Sequence, residues 1–424
     1  MIPIPITPLR VALIGAGNRM RTHYRPLFSA LPSWVEVVAV CDPVPEHCDA
    51  LAAALGVPAF YDIHELVKAR PMEAAIVVTP VESHHAISIF LSSHGIHNLT
   101  ETTWASMVCQ AKDMIVTAQQ HHTIVRVAEN FFRFPIDRFA QTVKRNGYLG
   151  RIGRIYSYAD HTGYHNNSRW IAFAGAHPNW VQCVEHSMAH PAFYSQPQRR
   201  HDHENLNARF FGFADDFLVM DTGSGHVKGH LGRHPRPGYT EWQGERGTLV
   251  HRAPGHAWGS DEAELRYVSD QKLAPYQEAH QQFNGGGMAD VVTPVITEMQ
   301  DRRWTRTFAD TPTGCIEYVN PLYLKELVPH TYDWYGVAML DHIVDFALAV
   351  RGLRQSEFSA EDALMSEMME IGARESSLNE GKRIKLPIEG DLESDALTRA
   401  VLHKKYNVDP LDVEAMLRIS YPRP

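Results

Sequence analysis

The chain has 424 residues, enough for two domains with substantial cores, and its 44% hydrophobic content is ordinary for an enzyme. A formal net charge of −9, a pI near 6.3 and the lack of any basic run argue against nucleic acid or an anionic membrane surface as a partner. The opening MIPIPITPL is too short and proline-broken for a leader or a membrane span, and Cys41, Cys48, Cys109, Cys183 and Cys315 are scattered without CxxC spacing, which makes the cytoplasm the default location.

From Arg10 the chain reads RVALIGAGNRMRTHYRPLFSALPSWVEVVAVCD to Asp42. An apolar run, Val11 to Ile14, enters the turn Gly15-Ala16-Gly17, a helical stretch follows, and a second apolar run, Val35 to Val40, ends at Asp42. This order predicts a βαβ unit for a dinucleotide: Gly15 permits the tight turn, Gly17 lets a pyrophosphate approach, and the following helix start offers N–H groups to the anion. Asn18 and Arg19 continue that turn. Asp42 suits the two ribose hydroxyls and repels a 2′-phosphate, so the unit favours NAD over NADP. Met20 stands where the third glycine or alanine of the fingerprint is usual, which sets helix and strand farther apart.

A helix is expected over Glu46 to Leu55, a short strand at Phe60-Tyr61, and a buried strand from Met72 to Val78 that ends in Thr79-Pro80, with His84 close behind. A helix over His85 to Ser93, a strand over His97 to Thr100 leading into Glu101-Thr102-Thr103, a helix from about Ser106 to Gln120 and a strand from Thr123 to Ala128 continue the alternation. The segment Glu129-Asn130-Phe131-Phe132-Arg133-Phe134-Pro135 closes it. The fold class is therefore an α/β doubly wound parallel sheet of Rossmann type, residues 1–133, followed by an α+β domain, residues 134–424. Past Gly150, alternating stretches at Arg154 to Ala159, Leu218 to Gly225 and Thr248 to Arg252 between glycine and proline turns call for a large, mostly antiparallel open sheet. Late helices are expected over Trp334 to Ala349 and Ala360 to Asn379, with Gly285-Gly286-Gly287 in a loop over the site and Asn320, Pro321 and Tyr332 at its border.

The series VALIGAGNR, VCD, VVTPVESHH, GIHNLTETT and VRVAENFFRFP resembles the Gfo/Idh/MocA oxidoreductases in order and spacing, as do NGYLGRIGRIYSY and the stretch SEFSAEDALMSEMMEIGARESSLNEGKRIKLP. The resemblance implies NAD binding by Gly15, Gly17, Asn18, Arg19, Asp42, Thr79, Pro80, His84, Glu101, Thr102 and Asn130, and a sugar site on the second domain. Sugar dehydrogenases of that family follow the glutamate of an EKP segment with a lysine that helps deprotonate the reacting hydroxyl. Here Thr102 takes that place, does not titrate near neutrality, and leaves Lys112 about three helical turns away.

About half of the 25 histidines fall between His161 and His256. The stretch from Tyr158 to Ala192 is dense in groups able to touch a sugar, among them Tyr164, His165, Arg169, Trp170 and His190. Its segment Val184 to Ala192 (VEHSMAHPA) looks like a helix start of the NAD-dependent glycosidases, glycoside hydrolase family 109, which likewise lack the lysine. That likeness makes His186 the catalytic histidine, with His161 and Glu185 beside it. It implies transient oxidation at C3, elimination of the C1 substituent, water addition and return of the hydride. An NAD-dependent sugar dehydrogenase with His186 as base is the alternative, and a silent NAD-binding sensor or assembly protein a third. No metal is expected: His186 with His190, and His201-Asp202-His203-Glu204, lack a complete ligand set. A sugar or glycoside is the partner, and a homo-oligomer, dimer or tetramer, would cover the open sheet face.

Overall fold

The structure is a computed structural model describing residues 2–159, 163–196, 199–225, 239–252, 262–273, 289–301, 303–322 and 334–421. His161, Gly285 to Gly287 and Tyr332 lie outside the described residues. The chain divides into two units, residues 1–130, 321–371 and 389–424 in the first and residues 131–320 and 372–388 in the second.

In the first unit, strand and helix alternate: β1 (Leu9–Ile14), β2 (Val35–Cys41), α1 (Pro45–Leu55), β3 (Ala59–Phe60), α2 (Ile63–Ala69), β4 (Ala74–Val77), α3 (His84–Ser93), β5 (His97–Thr100), α4 (Val108–Gln120) and β6 (Val125–Val127). The strands form one parallel sheet, as expected, and their order is β3-β2-β1-β4-β5-β6. The order reverses beside β1, and the crevice outside the carboxyl ends of β1 and β4 is where such sheets take ligands. All four residues of β4 are buried, as a strand covered on both faces requires. Pro45 starts α1, while Asp62 caps α2 by accepting the His64 and Glu65 N–H groups. The helix expected after Gly17 is irregular: a π-helical turn over Met20–Tyr24 gives way to a 3-10 turn over Arg25–Ala30, because Pro26 supplies no N–H to continue an α-helical ladder.

The second unit carries α5 (Pro135–Arg145), β7 (Ile152–Ala159), α6 (Gly163–Ala174), β8 (Trp180–Gln196), β9 (Arg199–Gly212), β10 (Leu218–Gly225), β11 (Tyr239–Gly244), β12 (Gly247–Arg252), β13 (Glu262–Tyr267), β14 (Val291–Gln300), β15 (Arg303–Thr311) and β16 (Gly314–Val319). With β17 (Ile384–Lys385) these strands make an eleven-stranded sheet, β16-β15-β14-β13-β12-β11-β7-β10-β9-β8-β17, antiparallel except where β10 pairs with β7. One rung shows where its core sits. Val181, Phe211, Val219, Ile155, Trp242, Leu249 and Leu265 lie side by side across seven strands, each at most 1% exposed. Alternation puts Phe210, Met220 and Tyr156 on the other face, half-buried.

The remaining helices are α7 (Trp334–Val350), α8 (Ala360–Leu378), α9 (Glu393–Tyr406) and α10 (Val413–Leu417). The division differs from a single boundary at 133/134, since residues 321–371 and 389–424 rejoin the first unit. Local chemistry explains the return. Helix α7 is buried from Gly336 to Leu348, Arg351 binds the Thr7 and Pro8 carbonyls and Glu73, the Glu367 carboxylate accepts the Ala105 N–H, and Asp395 accepts the first N–H groups of α4.

Candidate functional site

Gly15 adopts φ +93°, and a Cβ there would lie 2.2 Å from the Val78 carbonyl oxygen, so the turn crosses β4 too closely for any side chain. Gly17 differs: a Cβ there would meet nothing within 4 Å. That open space is what an approaching pyrophosphate needs. Met20 is fully buried in the following turn.

Asp42 stands at the end of β2 as expected, but its carboxylate does not simply face outward. One oxygen accepts the Ala16 N–H at 2.6 Å and the other the Val44 N–H at 2.8 Å, with the residue only 1% exposed. Asp42 therefore shapes the glycine turn. Its charge, at the end of β2, still disfavours a 2′-phosphate.

Beyond the turn, Arg19 Nε donates to Glu101 Oε1 at 2.6 Å, while the guanidinium lies 5.8 Å from the Tyr24 ring and 5.9 Å from that of Tyr335. Glu101 Oε2 accepts the Thr102 N–H at 2.7 Å and its hydroxyl at 3.3 Å. Burial pushes the Glu101 carboxyl up, yet Arg19 and the Thr102 N–H outweigh it and hold the group below the usual glutamate range. It is a fixed anion, not a base poised near neutrality. Thr79 accepts a hydrogen bond from Ser83 at 2.8 Å, and Pro80 precedes a short turn that leads to α3. The imidazole of His84 sits between the Thr79 and Thr103 carbonyls, 2.9 Å from each, and burial lowers its pKa. At 1% exposure, His84 ties the ends of β4 and β5 together. Asn18 accepts the Thr22 hydroxyl through its carbonyl, and Asn130 donates its N–H to Glu129 after β6.

In the second unit three expectations are corrected. The stretch Val184 to Ala192 is extended chain in β8, not a helix start, with His186 and Glu185 exposed opposite Leu206 and Asn207 of β9. Four residues along a strand span about 13 Å, so His186 and His190 cannot share a metal. Among the described residues no group of three or more His, Cys, Asp or Glu is placed to hold a metal ion. Arg169 is buried, its Nε donating to Asp137 at 2.9 Å and its other nitrogens to Asn166 at 3.2 Å and Thr240 at 3.3 Å, so it is a core cation and not a substrate contact. Trp170 is fully buried and donates from Nε1 to Asp221 at 3.2 Å, and Tyr164 is only 2% exposed. Both are packing residues.

His165 and His190 remain, the latter half-buried on β8 with its Nδ1 2.8 Å from the Pro191 carbonyl oxygen. His165 is half-buried on the first turn of α6, its ring stacked on Phe131 at 4.3 Å and 7°. The signal for it in the sequence is its place two residues after Gly163, at the start of the helix that follows β7.

Residues 9–129 match the GFO_IDH_MocA family, described as an oxidoreductase family with an NAD-binding Rossmann fold. The N-terminal segment is thus similar to the NAD-binding domain of the Gfo/Idh/MocA oxidoreductases. The chain is also similar to an uncharacterised oxidoreductase of Schizosaccharomyces pombe, 24% identical over 39% of this chain and 45% of that protein. D-apiose dehydrogenase of Paraburkholderia graminis is 25% identical over 33% of this chain and 37% of its own, and 2,7-anhydro-N-acetylneuraminate hydratase of Mediterraneibacter gnavus 26% over 32% and 36%. The chain thus spans less than half the length of these curated relatives. Likeness of fold extends further. A levoglucosan dehydrogenase in complex with NADH and L-sorbose superposes with a TM-score of 0.64 at 17% identity, over 91% of this chain and 100% of that one. The WlbA dehydrogenase from Bordetella pertussis, in complex with NADH and UDP-GlcNAcA, gives 0.61 at 15% over 91% and 100%.

Proposed function

We propose that the protein is an NAD-dependent enzyme that oxidises a carbinol of a sugar or glycoside, with His165, and not His186, as its acid/base group. The observation that carries this is a single half-buried histidine on the first turn of α6, its ring fixed flat against Phe131. Bound NAD supplies the hydride acceptor. As hydride leaves carbon, the hydroxyl proton must go to a base. Thr102 does not titrate usefully and Glu101 is held as an anion by Arg19, which leaves imidazole as the side chain suited to neutral pH. The sugar class draws support from the relatives named as sugar dehydrogenases.

A second reading, redox-neutral cleavage through transient C3 oxidation, is favoured by Thr102 in place of a lysine and by a relative named as a hydratase. In it His161, four residues before His165, is the second proton carrier. A homo-oligomer formed through the outer sheet face and a cytoplasmic location complete the proposal; all five cysteines are free thiols, which suits a reducing compartment.

The test is incubation with NAD and a panel of free sugars and p-nitrophenyl glycosides in D₂O. NADH accumulating with the glycoside intact supports the dehydrogenase. Nitrophenol release with deuterium at C2 and no net NADH supports cleavage. In either case His165→Gln should lose at least a hundredfold in turnover and retain NADH binding, while His186→Ala stays within about twofold.

A further inference from the structure

We infer that Arg209 and Asp221, buried under α6, are positioning residues that set the orientation of His165; the inference deepens the reading of His165 given above and rests on it. The two stand directly opposite each other on β9 and β10, each 1% exposed, and form a buried ion pair. Two strands in register need no such pair, because apolar side chains of similar size would hold them at least as well without the cost of desolvating two charges.

What the pair does bind is one stripe of α6. Arg209 donates to the Gly163 carbonyl at 2.8 Å, and Asp221 accepts from Asn166 Nδ2 at 3.1 Å and Trp170 Nε1 at 3.2 Å. Positions 163, 166 and 170 are spaced i, i+3, i+7 and share one helix face. His165 lies about 200° around from Gly163, on the opposite side, where Phe131 stacks against it. A helix gripped on one face by a buried ion pair can neither roll nor slide, and its outward histidine is fixed accordingly. Gly163 is part of the device. A Cβ there would lie 2.3–2.5 Å from the Arg209 guanidinium atoms. Although that group ends a long side chain, burial and its bonds to Asp221 and Gly163 leave it nowhere to go without breaking the grip.

Gly163→Ala is therefore a probe that displaces Arg209 without removing a charge, and Arg209→Lys, with its smaller head, should make room for it. The readout is ¹³Cε1-histidine NMR of the full chain, with the His165 resonance assigned by its loss in His165→Gln. Gly163→Ala should move the His165 titration midpoint by about 0.5 or more on the pH scale and reduce its upfield ring-current shift. The double variant Gly163→Ala/Arg209→Lys should return both toward wild type. Trp170→Phe, which removes one donor to Asp221 and keeps an aromatic ring at the cost of part of the packing, should move them the same way by less. An unmoved resonance in Gly163→Ala and Trp170→Phe, or a double variant no closer to wild type than the single, overturns the inference. Turnover of His165→Gln is a separate reading: full activity there would refute the acid/base role whatever the NMR shows.

Discussion

Gly15 and Gly17 stand two positions apart and do different work. Gly15→Ala places a Cβ against the Val78 carbonyl at an unfavourable φ, and should cost stability on the order of 3 kcal/mol or more in a denaturant melt. Gly17→Ala, with open space around it, should keep stability within about 0.5 kcal/mol and lose NADH affinity at least tenfold by fluorescence titration. Both glycines were legible from spacing alone, because a turn between two apolar runs has few chemistries. Arg169 was not. A cation among aromatics and histidines looks like a ligand contact until its partner appears, and that partner, Asp137, lies 32 residues earlier. Burial pushes the Asp137 carboxyl above its usual range although Arg169 works against this. Arg169→Ala should therefore unfold the second unit more easily, by about 3–5 kcal/mol, instead of acting through KM alone. A variant as stable as wild type would show that the pair is dispensable.

At the scale of elements, the parallel strands and their helices were readable because strands buried on both faces are written as plain apolar runs, as in β4. Strand β8 is hard to read from sequence because its outer part, from Val184 to Ala189, is exposed throughout and its alternation is weak, with His186 standing between Val184 and Met188. The return of the chain to the first unit was hidden for another reason: it depends on pairs far apart in sequence, such as Arg351 with Glu73 at 2.8 and 2.9 Å. Hydrogen bonds from Arg351 depress the Glu73 carboxyl to about 2, against partial burial that would raise it. A folded-state pKa below the unfolded value means stability that is present above about pH 4.5 and lost as pH falls toward 2. Because a third of the side chain is exposed, about 1–2 kcal/mol is the reasonable size of this contribution. Glu73→Gln should show that loss in urea melts at pH 7 and converge with wild type near pH 2–3; a gap independent of pH would assign the effect to packing.

Across the whole molecule, the two faces of the second unit's sheet are written differently. The inner face is closed by the rung from Val181 to Leu265, whereas the outer face carries Phe210, Met220 and Tyr156 half-buried and, along β8 and β9, Val184, Met188 and Leu206 at 57, 43 and 38% exposure. Val184, His186 and Met188 alternate with Glu185 and Ser187, so beyond its base the β8–β9 ribbon has one apolar and one polar side. Exposed apolar side chains along a sheet face are costly to leave wet. In the proposed homo-oligomer a second copy would cover that face, since a two-fold interface joins like surfaces. Met188→Asp places a charge on that surface and should lower the mass measured by sedimentation equilibrium at micromolar concentration, with the NADH affinity of the first unit unchanged. If wild type sediments as a monomer, or if Met188→Asp and Phe210→Asp both leave a dimer or tetramer intact, the outer face is not what joins the copies.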